Sequence, residues 1–308
     1  MEQPRFKLNF EFGELFRLDK RIEIPISGSS TIILDKIDNP TLKDQNRGSL
    51  IFQVDTLDYY RAKEIGMKQI EDFLNLLIVI SKIEIPPATF ADEPILLNPE
   101  KFEGQKKTPF KSFTVSGSAI AIFDDVWAEK TITLINQAKR LRDEQKQAII
   151  DSFFWLRKTT TAKSDSENFV YRWISLEVLC GILVGKTRDT TIHRINSLMD
   201  KMANESAQGV FENHKKVICE LAEENLTSMH GNKQRSEELK QTMDALDKNP
   251  DYKEVIKKTA LCIYEVRNRL FHRGMKVSLV EKSNPILKDL ILKTLEDFLL
   301  KGFIAEQT

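Results

Sequence analysis

Near its C-terminal end the chain reads YEVRNRLFHRG, Tyr264 to Gly274, with three arginines, an asparagine and a histidine in eleven residues. On a helix at about 100° per residue, Asn268 and His272 lie four apart and share a face, with Arg267 at its flank. Imidazole titrates near pH ~6.5 and exchanges protons at neutral pH. The guanidinium of Arg267 offers a planar fork matched to phosphate oxygens and can hold charge on a pentavalent phosphoryl intermediate. Asn268 can fix the tautomer of an imidazole or bind a non-bridging oxygen. Together these groups suit attack of an RNA 2′-hydroxyl on the adjacent phosphate, a reaction that needs acid–base help and charge stabilisation but no metal.

The same residues also suit a plainer role. Arg and His near a helix C-terminus complement the macrodipole and bond its free carbonyls. Local charge favours an anion site, since Lys253 to Lys276 holds seven basic residues (Lys253, Lys257, Lys258, Arg267, Arg269, Arg273 and Lys276) against Glu254 and Glu265. Val255, Cys262, Val266 and Leu270 form the apolar stripe that docks this helix, and Gly274 supplies its stop.

The elements that position these residues follow from periodicity. FKLNFEF places Phe6, Leu8, Phe10 and Phe12 on one face of a half-buried strand. RIEIPI (21–26), STIILD (30–35) and SLIFQVD (49–55) read as further strands, joined by turn-forming SGSS and NPTLKDQNRG. Residues 58–82 switch to helical spacing, with Asp58 as N-cap near Thr56. FKSFTVSGSAIAIF (110–123) returns to strand-like content. The pairing of these strands cannot be assigned from the sequence. From about Asp125 onward the pattern is helical: 126–159 with one break near Arg142–Glu144, then 166–184, 188–203, 209–224, 234–247, 251–272 and 284–301. The expected architecture is an α+β domain over 1–130 followed by an all-α domain over 131–308. The boundary falls near 125–140, and the helix from Val126 can belong to either side.

Composition excludes several classes. Formal net charge is zero over 308 residues, so no whole-molecule field draws in nucleic acid. Cys180, Cys219 and Cys262 are widely spaced in apolar company, which predicts buried thiols in a reducing compartment. The N-terminal residues have no apolar core of a signal peptide, and the longest apolar run, Leu74 to Ile80, is too short to span a bilayer. These readings predict a soluble cytoplasmic protein without a membrane partner. The histidines and cysteines have no zinc spacing, so neither metal nor cofactor is expected. GILVGKT (Gly181–Thr187) imitates a phosphate loop but has one residue too few between its glycines and follows a helix; it reads as a helix end at Gly185. SGSST and VSGSA lack the frame of a nucleophile elbow. His193, His214 and His230 have no constellation around them.

Arg267 to His272, R-N-R-L-F-H, resembles the motif of HEPN domains, an Arg with a His four to six residues on and a polar residue directly after the Arg. Upstream, FVYRWISLEVLCGIL (Phe169–Leu183) resembles the second motif of the Apea-like HEPN branch, an aromatic-rich helix with a central Leu-Glu. The resemblance covers roughly residues 140–302; the N-terminal third resembles no family. No Tyr closely follows His272, where HepT-type toxins carry one. The resemblance implies a helical bundle that forms a homodimer, with the two R-N-x-x-x-H helices facing across a two-fold cleft. It also implies a metal-independent endoribonuclease of phage defence or a toxin-type stress response. Arg267, Asn268, His272 and Glu177 would be catalytic. Arg269, Arg273 and Lys276 would bind RNA, and the N-terminal domain would meet a trigger or inhibitor protein or select RNA. The alternative is a HEPN-fold module that dimerises and binds RNA or a partner without cutting.

Glu177 falls beside the core stripe of Phe169, Trp173, Leu176, Cys180 and Leu183. A carboxylate buried there needs a partner, and Arg267 is the expected one. Removing one side of such a buried pair would cost roughly 3–5 kcal/mol. Glu177 then either ties two helices together or aligns Arg267 for catalysis. Trp173 and Trp155 read as core.

Overall fold

The computed structural model describes residues 3–12, 16–18, 20–35, 46–81, 85, 88–91, 93–101, 121–122, 125–183, 190–228, 234–246, 248, 250–273 and 277–301. It divides into two compact units, Met1–Arg140 and Leu141–Thr308.

The first unit is α+β. Its strands are β1 (Arg5–Phe12), β2 (Phe16–Arg17), β3 (Ile22–Ser27), β4 (Ser30–Leu34), β5 (Asn46–Gln53), β6 (Thr89–Phe90), β7 (Ile95–Leu96) and β8 (Ala121–Ile122). The main sheet runs β3-β4-β5-β1-β6, with β7 also on β1, and its pairs are antiparallel. β2 and β8 pair in parallel apart from it. The alternation of β1 is realised: Phe6, Leu8, Phe10 and Phe12 are buried and their neighbours are not. Phe6 sits opposite Phe52 and Leu8 opposite Leu50. Phe10 sits opposite Gly48, where a Cβ would lie 2.6 Å from the Phe10 ring. Helix α1 (Tyr59–Ser81) starts where Asp58 Oδ1 accepts from the backbone N–H of Tyr60 and Arg61, at 2.9 and 3.3 Å. It lies on the sheet at Gly66, where a Cβ would meet Leu8 and Phe52 at 2.9 and 3.0 Å, so the glycine sets the closeness of that approach. Helix α2 (Asp125–Lys139) packs on α1 and β3 and belongs to this unit. The expected strand at 110–123 lies outside the described residues apart from β8.

The second unit is helical: α3 (Asp143–Lys158), α4 (Asp165–Leu183), α5 (Thr191–Lys201), α6 (Asn204–Glu223), α7 (Arg235–Asp244), α8 (Tyr252–Arg273) and α9 (Val277–Lys301). The expected break after α2 spans 140–142, and the backbone N–H of Arg142 there donates to Gln145 Oε1 at 3.1 Å. Helices α3 and α4 pack through small residues, the Ser152 and Ser175 hydroxyls meeting at 2.7 Å. α8 is enclosed by α5, α6, α7 and α9, and α4 lies along α9.

Two helices begin earlier than their local sequence suggests. α6 starts at Asn204, not 209, although its N-cap residue is Ala203, which has no capping side chain. Asp297 of α9 supplies the cap from afar, accepting from the Ala203 N–H and the Ser206 hydroxyl, both at 2.8 Å. α9 starts at Val277 and runs through Pro285. That proline is exposed, so the carbonyl it leaves unpaired one turn back can be hydrated. The extra turns are held by buried Leu279 and Val280, by Ser283, and by Asn284, whose amide donates to the Asp165 carbonyl at 2.9 Å.

Among the described residues, no helix is long and apolar enough to cross a membrane. Cys180, Cys219 and Cys262 are free; the first and last are buried and Cys219 is half-buried.

Candidate functional site at the α4–α8 contact

α8 is buried on most of its circumference. Val255, Ile256, Leu261, Cys262, Ile263 and Val266 are core, while Leu270 is only half-buried. Burial pushes the Cys262 thiol up to about 12, so it packs as a neutral side chain. The helix opens with Asp251 as its cap, accepting from the Glu254 N–H at 3.1 Å.

The basic residues read as one local patch divide between its two ends. Lys257 binds Asp200 of α5 at 2.9 Å, and Lys253 donates to the Asp200 carbonyl at 3.1 Å. Lys258 lies between Glu254 and Glu238, at 3.4 and 3.7 Å. These three lysines stand about 13–21 Å from Arg267 along the axis, at ~1.5 Å per residue, and Lys257 and Lys258 are matched by carboxylates. The cation excess near Arg267 is therefore smaller than the residue count implies.

Arg267 is where the α8 motif meets α4. One guanidinium nitrogen donates to Asn268 Oδ1 at 3.1 Å, and another lies 3.9 Å from Glu177 Oε1. The guanidinium sits over the ring of Phe271, one turn on, at 5.0 Å from its centroid. Its Nε is buried and has no hydrogen-bond partner among the described residues. One turn before these residues, Trp173 of α4 meets Tyr264 of α8 with ring centroids 5.8 Å apart. The Trp173 indole N–H is also buried, without an acceptor among the described residues.

The expected pairing of Glu177 with Arg267 is present but not buried, and this corrects the reading of a costly enclosed pair. The side chains are 33% and 29% exposed, and 3.9 Å is a loose ion pair. Glu177 sits beside the buried stripe of Phe169, Trp173, Leu176, Leu179 and Cys180, on the rim rather than inside it. Partial hydration reduces such a pair to about 0–1 kcal/mol. Glu177→Gln and Glu177→Ala should therefore both melt within about 1 kcal/mol of wild type. A deficit near 3 kcal/mol in the alanine variant alone, measured by denaturant titration, would mean the pair behaves as buried.

Asn268 is buried, with its oxygen committed to Arg267. His272 follows Asn268 by one turn on α8; its side chain lies outside the described residues, as do those of Arg273 and Lys276. Arg269 is not brought to Arg267. It donates to the Asn225 carbonyl at 2.7 Å, tying α8 to the turn after α6. Gly185, Gly274 and His230 also lie outside the described residues. Trp173 is core as expected, whereas Trp155 is half-buried against Tyr171 at 5.9 Å.

The sequence reading missed three features. Phe271 as a platform for Arg267 was readable from the four-residue spacing. Arg194 of α5 carried no signal. Cys180, one turn after Glu177, feels both side chains: burial pushes its thiol up first, the charge of Glu177 pushes further, and Arg194 pulls back. His214 has a partner 75 residues away, its Nε2 lying 2.8 Å from Asp289 Oδ2. Burial alone would raise the Asp289 carboxyl, but the bond and charge of His214, with Asn213, hold it below the usual range. Glu220 and Lys282 pair farther along the same α6–α9 seam, and Ser206 with Asp297 closes its other end. These pairs place the two helices antiparallel and interlock them.

Among the described residues, no three His, Cys, Asp or Glu side chains come together as metal ligands. No protein-family model matches the chain, and no curated protein or solved structure gives a significant match.

Proposed function

We propose that the protein is a HEPN-like, metal-independent endoribonuclease in which Arg267, Asn268 and His272 promote attack of an RNA 2′-hydroxyl on the neighbouring phosphate. The observation that carries this reading is the setting of Arg267. Its side chain is 29% exposed, and its guanidinium is steadied by Asn268, Glu177 and Phe271. A preorganised donor of this kind stabilises charge that develops on a phosphoryl group. His272, one turn beyond Asn268 on the same helix, would move the proton. Glu177 aligns the arginine rather than touching substrate. The active form would be a homodimer through the helical unit, the two-fold axis doubling a sparse site. The N-terminal unit would select RNA or respond to a trigger.

Purified protein should cut a susceptible RNA in excess EDTA. Its products should carry a 2′,3′-cyclic phosphate, or the hydrolysed form, and a 5′-hydroxyl. A single 2′-deoxy nucleotide at the cut site should block cleavage. 5′-Phosphate ends, normal cutting of the deoxy substrate, or activity restored only by Mg²⁺ would sink the mechanism. Light scattering should give about twice the 35.6 kDa chain mass.

One observation favours a second reading. The contacts of Arg267 with Glu177 and Asn268 are also those of a structural tether between α4 and α8. A non-cutting module would bind RNA or a partner with wild-type and His272→Ala protein alike and yield no new RNA ends with either.

A further inference from the structure

We propose that Phe271 is a base-stacking residue of the Arg267 site, holding a nucleobase of single-stranded RNA beside the scissile phosphate, an inference that rests on the endoribonuclease reading above. Phe271 lies one turn after Arg267 on α8, and the Arg267 guanidinium sits over its ring at 5.0 Å from the centroid. A direct contact therefore places the ring at the site. The ring is also 53% exposed, in a helix whose Val255, Ile256, Cys262, Ile263 and Val266 are fully buried.

Core packing does not account for an aromatic ring in this position. Leu270, its neighbour in sequence, is half-buried. Phe154 is the other exposed large apolar side chain among the described residues of the helical unit, and it belongs to α3, which packs on α4. Among the described residues, the exposed apolar patch at this end of α8 is thus one ring wide. The core of a protein interface gathers several apolar anchors and is depleted of charge. Here a charged guanidinium borders a single ring.

A ribonucleotide has the matching chemistry. It carries a flat aromatic base and an anionic phosphate, joined through one ribose. Unpaired bases stack on aromatic rings, and phosphates pair with arginine. With Arg267 on one side of the ring and committed to phosphate, the exposed part of Phe271 takes the base of a nucleotide bordering that phosphate. Pinning the base also orients the ribose, and in-line attack by a 2′-oxygen depends on that orientation. Bases stacked inside a duplex cannot reach the ring, so the substrate is single-stranded RNA.

The test uses the full chain and an oligoribonucleotide that the wild type cuts. 2-Aminopurine replaces the base on one side of the cut and then on the other; its fluorescence falls when it stacks on an aromatic ring. Binding is followed with His272→Ala protein, so that the RNA stays intact, and with Phe271→Leu or Phe271→Trp added to it. Leucine keeps helix propensity and apolar bulk at an exposed position, so the fold should be kept. One of the two fluorophores should be quenched by His272→Ala protein. Adding Phe271→Leu should abolish the quench and weaken binding at least about fivefold, whereas Phe271→Trp should preserve both. RNA made abasic at the quenched position should bind His272→Ala protein more weakly and lose little more when Phe271→Leu is added. Quenching of neither fluorophore, or a quench and affinity unchanged by Phe271→Leu, would overturn the proposal. So would abasic and Phe271→Leu losses that simply add, because the ring would then act only by supporting Arg267. Light scattering gives a further check: a dimer that falls to monomer with Phe271→Leu would place the ring against a second copy of the chain and overturn base stacking. A wild type that neither binds nor cuts any RNA would instead overturn the endoribonuclease reading.

Discussion

His272→Ala is expected to lower RNA cleavage by about 10²–10⁴-fold while leaving the fold intact. The helix carrying His272 is anchored upstream, through Val255, Ile256, Ile263 and Val266, all fully buried. Its last turn is peripheral, with Leu270 half-buried and Phe271 53% exposed. A charged histidine near a helix C-terminus contributes about 0.3–1 kcal/mol. The variant should therefore melt within about 1 kcal/mol of wild type. Arg267→Ala should be similarly inactive, also with a small stability loss, because its contact with Glu177 is long and partly hydrated. Single-turnover cleavage of one RNA by the three proteins, beside their denaturant melts, measures both quantities. Near-wild-type cleavage by His272→Ala would remove the histidine from the mechanism.

The largest loss of stability is expected at a residue outside the proposed site. Asp297→Ala should destabilise the helical unit by about 2–4 kcal/mol. Its carboxylate is buried and reaches from α9 to the start of α6, 94 positions away in sequence at Ala203. It accepts two hydrogen bonds there, from a backbone N–H and from the Ser206 hydroxyl. Alanine leaves both donors unpaired and α6 without a cap. Ser206→Ala removes one donor along with its partner bond, so it should cost only about 1 kcal/mol. The double variant should cost less than the sum of the two, because one hydrogen bond is shared. Urea melts of the four proteins test the cycle. Additive losses, or an Asp297→Ala deficit under 1 kcal/mol, would show that the cap contributes little.

What could be read directly was local in sequence. The period of two in Phe6, Leu8, Phe10 and Phe12 fixes which face of β1 is core, and Asp58 beside Thr56 marks the start of α1. The α4 stripe and the order Arg267, Asn268, His272 were equally legible, because spacing within one helix determines relative direction. An α+β unit before a helical one followed from these periods alone. Strand order did not, since the alternation of β1 says which side faces in and nothing about whether β5 or β4 lies beside it.

Everything that depends on a distant partner was decided by the tertiary structure. α6 begins at a residue with no capping side chain because an aspartate of α9 caps it. α9 continues past Pro285 because the proline is exposed and the turns before it are packed. His214 gains Asp289 across the same seam. The lysines of α8 cancel against α5 and α7 instead of joining Arg267. The pairing of Glu177 with Arg267 could be anticipated from charge and register, but not its exposure. Burial of a charge is set by how closely neighbouring helices approach, and that distance depends on side chains far apart along the chain.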